Sequence, residues 1–87
     1  MSAPPSALRL MTPSQLGQLL VTSRKRHKLT QAEVGHRVGL SQNRISYLEK
    51  NADEISFGQL LRWCAVIGLA LHLGERKGVA STDISEW

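Results

Sequence analysis

The chain contains a single cysteine, Cys64, among its 87 residues. One thiol cannot form an internal disulfide and is too few for a cysteine-rich zinc site. This count argues against a disulfide-stapled secreted scaffold and suits the reducing cytoplasm, where we expect the protein to be. Because Cys64 falls within an apolar helical stripe, we expect a buried, inert thiol rather than a nucleophile.

Long apolar runs are absent as well. No uninterrupted stretch approaches the roughly 20 apolar residues that a membrane-spanning helix needs. The first part of the chain contains Pro4, Pro5 and Arg9 instead of an apolar core with a small-residue cleavage site, which argues against a secretory signal. We therefore expect no membrane partner.

The residue clusters that catalysis and cofactor binding need are also missing. His27, His36 and His72 are scattered, with no i, i+4 pair and no acidic cluster suited to zinc or a catalytic base. No nucleophile stands with a base, and no phosphate-binding loop is present. We expect no enzyme, no catalytic residue, no metal and no cofactor.

What the chain does contain is the composition of one small folded domain, with 41% hydrophobic and 21% charged residues. A chain of this length buries only about 60 to 65% of its unfolded surface, so a second copy is an attractive source of further burial. Size alone therefore leaves oligomerisation open.

Positive charge is concentrated in the first half of the chain. Residues 1–50 carry a net charge of +6, whereas residues 51–87 carry −2. A basic half predicts contact with a polyanion, although a solvated surface explains the charge alone equally well. The basic run Arg24 to Lys28 has the same two interpretations, a solvated helix end or a phosphate contact.

Four hydroxyl residues predict the starts of four helices, because each can cap the free N–H groups of a first helical turn. These residues are Thr12, Thr30, Ser41 and Ser56. At three of the starts a Gln or Glu follows three residues later, as in a capping box. We expect the helices to end near His27, Gly39, Glu49 and Gly68.

Apolar residues recur at helical spacing and predict the core. In the fourth helix they form one expected stripe, which consists of Phe57, Leu60, Leu61, Cys64 and Ile67. We predict that Trp63, beside this stripe, packs in the core or in a dimer interface and does not stack on a ligand.

The regions flanking the helical domain have different patterns. Residues 1–11 have no sustained period and predict a flexible arm, and residues 12–68 form the helical domain. Leu69, Leu71 and Leu73 alternate with smaller or polar residues, which predicts a strand in residues 69–77. One short strand is not stable alone, so we expect these leucines to pair with a second copy. Residues 78–87 predict a flexible tail that ends in Trp87.

The most informative stretch is residues 31–50, where two short helices meet across a tight turn at Gly39. Their crossing leaves space only for a small residue at Gly35. The outward residues Gln42, Asn43 and Ser46 can then contact base edges in the major groove. Phosphate contacts are predicted from a helix N-terminus and from charged or hydroxyl side chains. The predicted phosphate contacts are Thr30, Gln31, Arg37, Arg44, Tyr47 and Lys50.

This stretch resembles the helix-turn-helix of the Cro/repressor (XRE) family over residues 15–67. The matching features are Gln31, Gly35, Gly39 and the aliphatic positions through Leu48. The resemblance implies a structural ion pair between Arg24 and Glu49. It also implies that the base-reading positions are Ser41, Gln42, Asn43 and Ser46.

With its flanks counted, the chain resembles a HipB-type antitoxin: an arm, four helices, a short strand and a tail ending Glu86-Trp87. The fold class expected is all-α, a four- to five-helix repressor-like domain plus one short C-terminal β-strand that pairs across a dimer. The resemblance implies a homodimer that binds a palindromic operator, represses its own operon and neutralises a HipA-type serine/threonine kinase toxin. Trp87 would then dock in a pocket on the kinase.

Two other functions stay open at this point. The chain could be a stand-alone phage-type or metabolic repressor whose tail has no toxin partner. It could also be a protein-bridging or RNA-binding helix-turn-helix module. From the residues alone, Trp87 is as well suited to folding back on its own domain as to anchoring a partner.

Overall fold

The computed structural model describes residues 9–75. Its elements are α1 (Pro13–Arg26), α2 (Gln31–Val38), α3 (Gln42–Lys50), a 3₁₀ turn (Ala52–Glu54) and α4 (Phe57–Val66). These elements confirm the predicted four-helix domain. Residues 1–8 of the predicted arm and the whole predicted tail, including Trp87, lie outside the described residues. The predicted region boundaries therefore stay predictions.

None of the helices in residues 9–75 is long and apolar enough to cross a membrane.

Each helix begins at the predicted cap. The side-chain oxygen of the cap accepts a hydrogen bond from the backbone N–H three residues later, at Gln15, Glu33, Arg44 and Gln59. At α1, α2 and α4 the third residue's side chain also accepts from the N–H of the cap residue, which completes a capping box. Each such cap contributes about 1 kcal/mol, so four local signals fix where the helices start.

The turn between α2 and α3 depends on two glycines. Gly39 ends α2 with a φ of 89°, in the left-handed region that disfavours residues with a Cβ. Gly35 lies where α2 crosses the start of α3. A Cβ built on Gly35 would clash with the carbonyl oxygen of Leu40 and would lie 3.2 Å from Cγ1 of Ile45. The predicted need for a small residue at Gly35 is confirmed.

The core lies between all four helices. Its buried side chains are Leu20, Val34, Val38, Ile45, Leu48, Trp63 and Ile67. Trp63 is fully buried within the single chain. It therefore lies in the core, which is one of the two predicted positions, the other being a dimer interface. Cys64 is a buried free thiol, also as predicted.

One part of the predicted stripe on α4 is wrong. Phe57 is 63% exposed and Leu61 is 44% exposed, whereas Cys64 and Ile67 are buried. The spacing of apolar residues identified their shared side of the helix correctly but gave a stripe wider than the area that packing against α2 covers. Phe57 and Leu61 lie on the uncovered margin.

Residues 69–75 form no strand within the described part of the chain. Leu69 and Leu71 are half-buried while Leu73 is 95% exposed. A strand that pairs only with a second copy has no hydrogen-bonding partner within one chain. The pairing of residues 69–77 across a dimer therefore stays a prediction.

The close approach at Gly35 predicts the outcome of one substitution. Gly35→Ala should lower the free energy of unfolding by about 1–3 kcal/mol, because the new methyl group must displace the Leu40 carbonyl or the Ile45 side chain. Urea unfolding followed by circular dichroism measures the change. Gly58→Ala is the matched control, because a Cβ there meets nothing within 4 Å. It should stabilise α4 by up to about 1 kcal/mol. Equal effects at the two positions would contradict the packing argument.

Candidate nucleic-acid interface

The two faces of α3 differ, since the inward face is buried and the outward face is polar. Ile45 and Leu48 have no exposed surface. Gln42 and Asn43, in the first turn of α3, are exposed, and Ser46 is half-buried one turn later. The structure therefore places the three residues predicted from the spacing on the same side of the helix, away from the core.

Ser41 combines two tasks at the start of this helix. Its Oγ accepts a hydrogen bond from the N–H of Arg44 at 3.1 Å. A serine hydroxyl that accepts one bond still has its own proton to donate. Ser41 can thus cap α3 and donate to a base or phosphate acceptor at the same time.

Of the predicted phosphate contacts, Arg37, Arg44, Lys50 and Thr30 are exposed. Thr30 caps α2 as Ser41 caps α3, because its Oγ1 accepts from the N–H of Glu33 at 3.0 Å. The Glu33 carboxylate accepts from the backbone N–H of Thr30 at 2.8 Å. This bond and a hydrogen bond from the Thr30 side chain lower the pKa of the Glu33 carboxylate and keep it ionised.

An open groove of about 700 Å³ connects these elements. Its exposed lining comes from the end of α1, the start of α2 and the first residue of α3. These residues are Lys25, Lys28, Thr30, Ala32 and Gln42, with Gln31 half-buried among them. The first turn of a helix presents N–H groups without intrahelical partners, which together with two lysines suits a phosphate.

A buried ion pair fixes the helices around this groove. Nε of Arg24 donates to Oε2 of Glu49 at 2.7 Å, and Nη2 donates to Oε1 at 3.3 Å. Nη1 of Arg24 also donates to the carbonyl oxygen of Leu29 at 3.0 Å. The Glu49 side chain is only 3% exposed. The implied ion pair between α1 and α3 is confirmed.

Gln31 is the third member of this network. Its Nε2 donates to Oε1 of Glu49 at 2.9 Å. One of the two amide protons is therefore used inside the protein, so the side chain cannot turn fully toward DNA. Contact of Gln31 with a phosphate stays a prediction, and the backbone N–H at the start of α2 is the group best placed to make it.

The network also separates Arg24 from the rest of its basic run. Arg24 is buried and paired with Glu49, whereas Lys25, Arg26 and Lys28 are exposed. Arg24 therefore fits neither interpretation of the run, since it is buried and its guanidinium is bonded to Glu49 and Leu29. Only the other three cations are open to solvent or to phosphate.

Tyr47 is exposed but its hydroxyl is occupied. The hydroxyl donates to Oε2 of Glu54 at 2.6 Å, and the guanidinium of Arg44 lies 5.4 Å from the ring centroid. The hydrogen bond to Glu54 raises the pKa of Tyr47, because ionised phenol could not donate it. Phosphate contact by Tyr47 stays a prediction that now requires this bond to break.

Sequence reasoning missed the roles of Gln31 toward Glu49 and of Glu54 toward Tyr47. Gln31 and Glu49 lie on different helices, and no periodicity connects them. Tyr47 and Glu54 are separated by the end of α3, where the helical spacing is lost. The family pattern at Gln31 and Glu49 was the only signal present, and it did not indicate that their side chains meet.

Burial raises the pKa of the Cys64 thiol and keeps it protonated. A protonated thiol is a poor nucleophile. Within residues 9–75, no three His, Cys, Asp or Glu side chains gather at a position that could hold a metal ion.

A profile of the helix-turn-helix family HTH_3 matches residues 22–73, more than half of the chain. The chain belongs to this family. HTH_3 is the XRE type of helix-turn-helix DNA-binding domain, so the resemblance drawn from residues 31–50 is confirmed. Comparison with curated proteins gave no match.

Solved structures share the fold over their whole length. A HipB variant in complex with an O2 20-mer has 26% sequence identity and a TM-score of 0.73, and the match covers 83% of this chain and 100% of that chain. A structure named "MDT Protein" and a HipA–HipB–O2–O3 complex each have 24% identity and a TM-score of 0.72, and each match covers 82% of this chain and 100% of the other. This HTH_3 protein is therefore similar to HipB in fold.

The buried network predicts a large effect of removing one partner. Glu49→Ala should lower the free energy of unfolding of this HTH_3 domain by about 3–5 kcal/mol, because the Arg24 guanidinium is left buried without a counter-charge. Adding Arg24→Met to Glu49→Ala should restore part of the loss. Chemical unfolding measures both, with the exposed Asp53→Ala as control. A loss at Glu49 no larger than that at Asp53 would show that the ion pair is not structural.

Proposed function

We propose that this protein is a sequence-specific DNA-binding repressor of its own operon and the antitoxin of a HipA-type serine/threonine kinase toxin. The observation that carries the proposal is the pair of exposed amides, Gln42 and Asn43, in the first turn of an α3 whose opposite face is locked in the core. The similarity to HipB, which has been solved with an O2 20-mer and with HipA, supports both parts of it.

Base reading rests on the position and chemistry of these amides. A carboxamide can both donate to and accept from adenine in the major groove, and a recognition helix contacts bases mainly with its N-terminal residues. Ser41 and Ser46 add hydroxyl donors at the start of α3 and one turn further on. We propose Ser41, Gln42, Asn43 and Ser46 as the base-reading set.

Phosphate contacts supply affinity that does not depend on sequence. Arg37, Arg44 and Lys50 carry exposed charges near α3, and the start of α2 offers backbone N–H groups. Neutralising phosphates releases counterions, so binding should weaken steeply with salt.

A two-fold dimer is supported by apolar side chains that one chain leaves uncovered. Leu73 is 95% exposed, and Leu69 and Leu71 are half-buried. Pairing of residues 69–77 between two copies would cover them and relate two α3 helices by a two-fold axis. Such dimers place their recognition helices about 34–36 Å apart on a palindromic operator.

The kinase partner is proposed from the likeness to HipB, which has been solved with HipA, and from Trp87. Glu86 and Trp87 follow a polar segment in the sequence. An indole provides a large rigid anchor for a partner's pocket. We also propose that the protein acts in the cytoplasm, on DNA when bound, without enzymatic activity of its own.

The base-reading proposal predicts the behaviour of Asn43→Ala. Loss of a bidentate amide should reduce discrimination between a selected operator duplex and a scrambled duplex by about 1–3 kcal/mol. Fluorescence anisotropy with both duplexes measures the two dissociation constants.

Lys50→Ala is the matched control for this experiment. It should weaken binding to both duplexes equally and lower the salt slope by about 1, because it removes only a phosphate contact. An unchanged operator-to-scrambled ratio in Asn43→Ala would remove the basis for base reading by α3.

The antitoxin proposal predicts a role for residues 78–87. Affinity capture from the lysate of the source cell should retain a kinase-sized partner on the intact chain and lose or weaken it on a chain truncated after Lys77. Trp87→Ala should reproduce most of the loss, while both variants keep operator binding. If all forms bind the operator and none retains a kinase, the protein is a simple dimeric repressor and the role of Trp87 is refuted.

A further inference from the structure

Tyr47 lies on the side of α3 that the proposed function turns toward DNA. It follows Asn43 by one helical turn, and 42% of its surface is exposed. Arg44, a proposed phosphate contact, stands over its ring at 5.4 Å. A phenol in this position can reach the DNA backbone with a single proton to donate.

That proton is already committed in the free chain. The Tyr47 hydroxyl donates to Oε2 of Glu54 at 2.6 Å, a short bond of the kind formed with a charged acceptor. Glu54 belongs to the 3₁₀ turn that follows α3, and its side chain is exposed. Both partners can therefore move apart without disturbing the core.

We propose that Glu54 competes with a backbone phosphate of the DNA for the Tyr47 hydroxyl. The carboxylate holds the hydroxyl in the free chain, and a phosphate oxygen replaces it when a duplex binds. This inference rests on the proposed DNA binding and identifies Glu54 as a residue that sets its affinity.

The chemistry of the exchange is simple because carboxylate and phosphate are both oxyanions that accept from a phenol. No covalent bond changes, and the proton stays on Tyr47. Glu54 must also turn away, since two anions cannot share one donor at this distance without repulsion. A duplex that contacts the Tyr47 hydroxyl therefore has to break the Tyr47–Glu54 bond. Glu54 thereby keeps the affinity for DNA below the value that the cations alone would give.

The raised pKa of Tyr47 agrees with a hydroxyl held by Glu54 in the free chain. Tyr47 is the chain's one tyrosine, so the absorbance change on phenol ionisation reports on this group alone. Titration of the phenol can thus detect the Tyr47–Glu54 bond in the free chain, without DNA.

The decisive experiment is a double-mutant cycle on DNA affinity. Glu54→Gln, Tyr47→Phe and the combination are compared with the intact protein on a selected operator duplex and a scrambled duplex. Asp53→Asn is the matched control, because it removes the same charge from the same turn. Glu54→Gln should tighten binding to both duplexes about three- to tenfold, since the charged hydrogen bond is weakened. In the Tyr47→Phe background it should do no more than Asp53→Asn.

Each contrary result has a definite meaning. Equal tightening by Glu54→Gln and Asp53→Asn, or tightening that persists with Tyr47→Phe, shows that Glu54 acts through its charge alone and overturns the exchange. Weaker binding by Glu54→Gln also overturns it, because the carboxylate would then be a support for the tyrosine. Phenol titration must also show a lower midpoint in Glu54→Gln and a smaller decrease in Asp53→Asn, because Asp53 raises the pKa of Tyr47 only through its charge.

Failure of the proposed function looks different. In that case the intact protein binds neither duplex, and no variant restores binding, although the phenol titration still detects the Tyr47–Glu54 bond. The exchange is then refuted because it has no phosphate to exchange with.

Discussion

The interaction on which the rest of the structure depends is the buried carboxylate of Glu49. It accepts from Arg24 on α1 and from Gln31 on α2, and it is itself part of α3. A carboxylate removed from water costs several kcal/mol unless charge and hydrogen bonds replace its hydration. Only the arrangement that brings all three helices together supplies those partners, so the network sets how α3 is held against its neighbours.

The properties of the DNA-facing surface follow from that constraint. With Ile45 and Leu48 buried and Glu49 held at the far end, α3 cannot rotate about its axis. Gln42 and Asn43 must then point outward, and they do so on a helix whose position does not depend on their own contacts. Recognition of bases by short amides requires this, because a small rotation would move both groups out of hydrogen-bonding distance.

Features with local causes could be predicted from the sequence, and features with distant causes could not. The four helix caps and the turn at Gly39 depend on residues within three or four positions, so local patterns identified them. The bond from Gln31 to Glu49 spans 18 positions. The family pattern was the only sequence signal at these two residues. The exposure of Phe57 depends on how much of α4 its neighbours cover, which periodicity does not express. Pairing of residues 69–77 requires a second chain altogether.

Two carboxylates close to the end of α3 show how burial decides the role of the same chemical group. Glu49 lies in the last turn of the helix, where the helix dipole disfavours an anion. It is tolerated because Arg24 offsets its charge, and burial makes that pairing too costly to break. Glu54 lies just beyond the helix in solvent, where water can replace Tyr47 as its partner. Glu49 is thereby suited to fixing the recognition helix permanently, and Glu54 to a bond that a competing anion can displace.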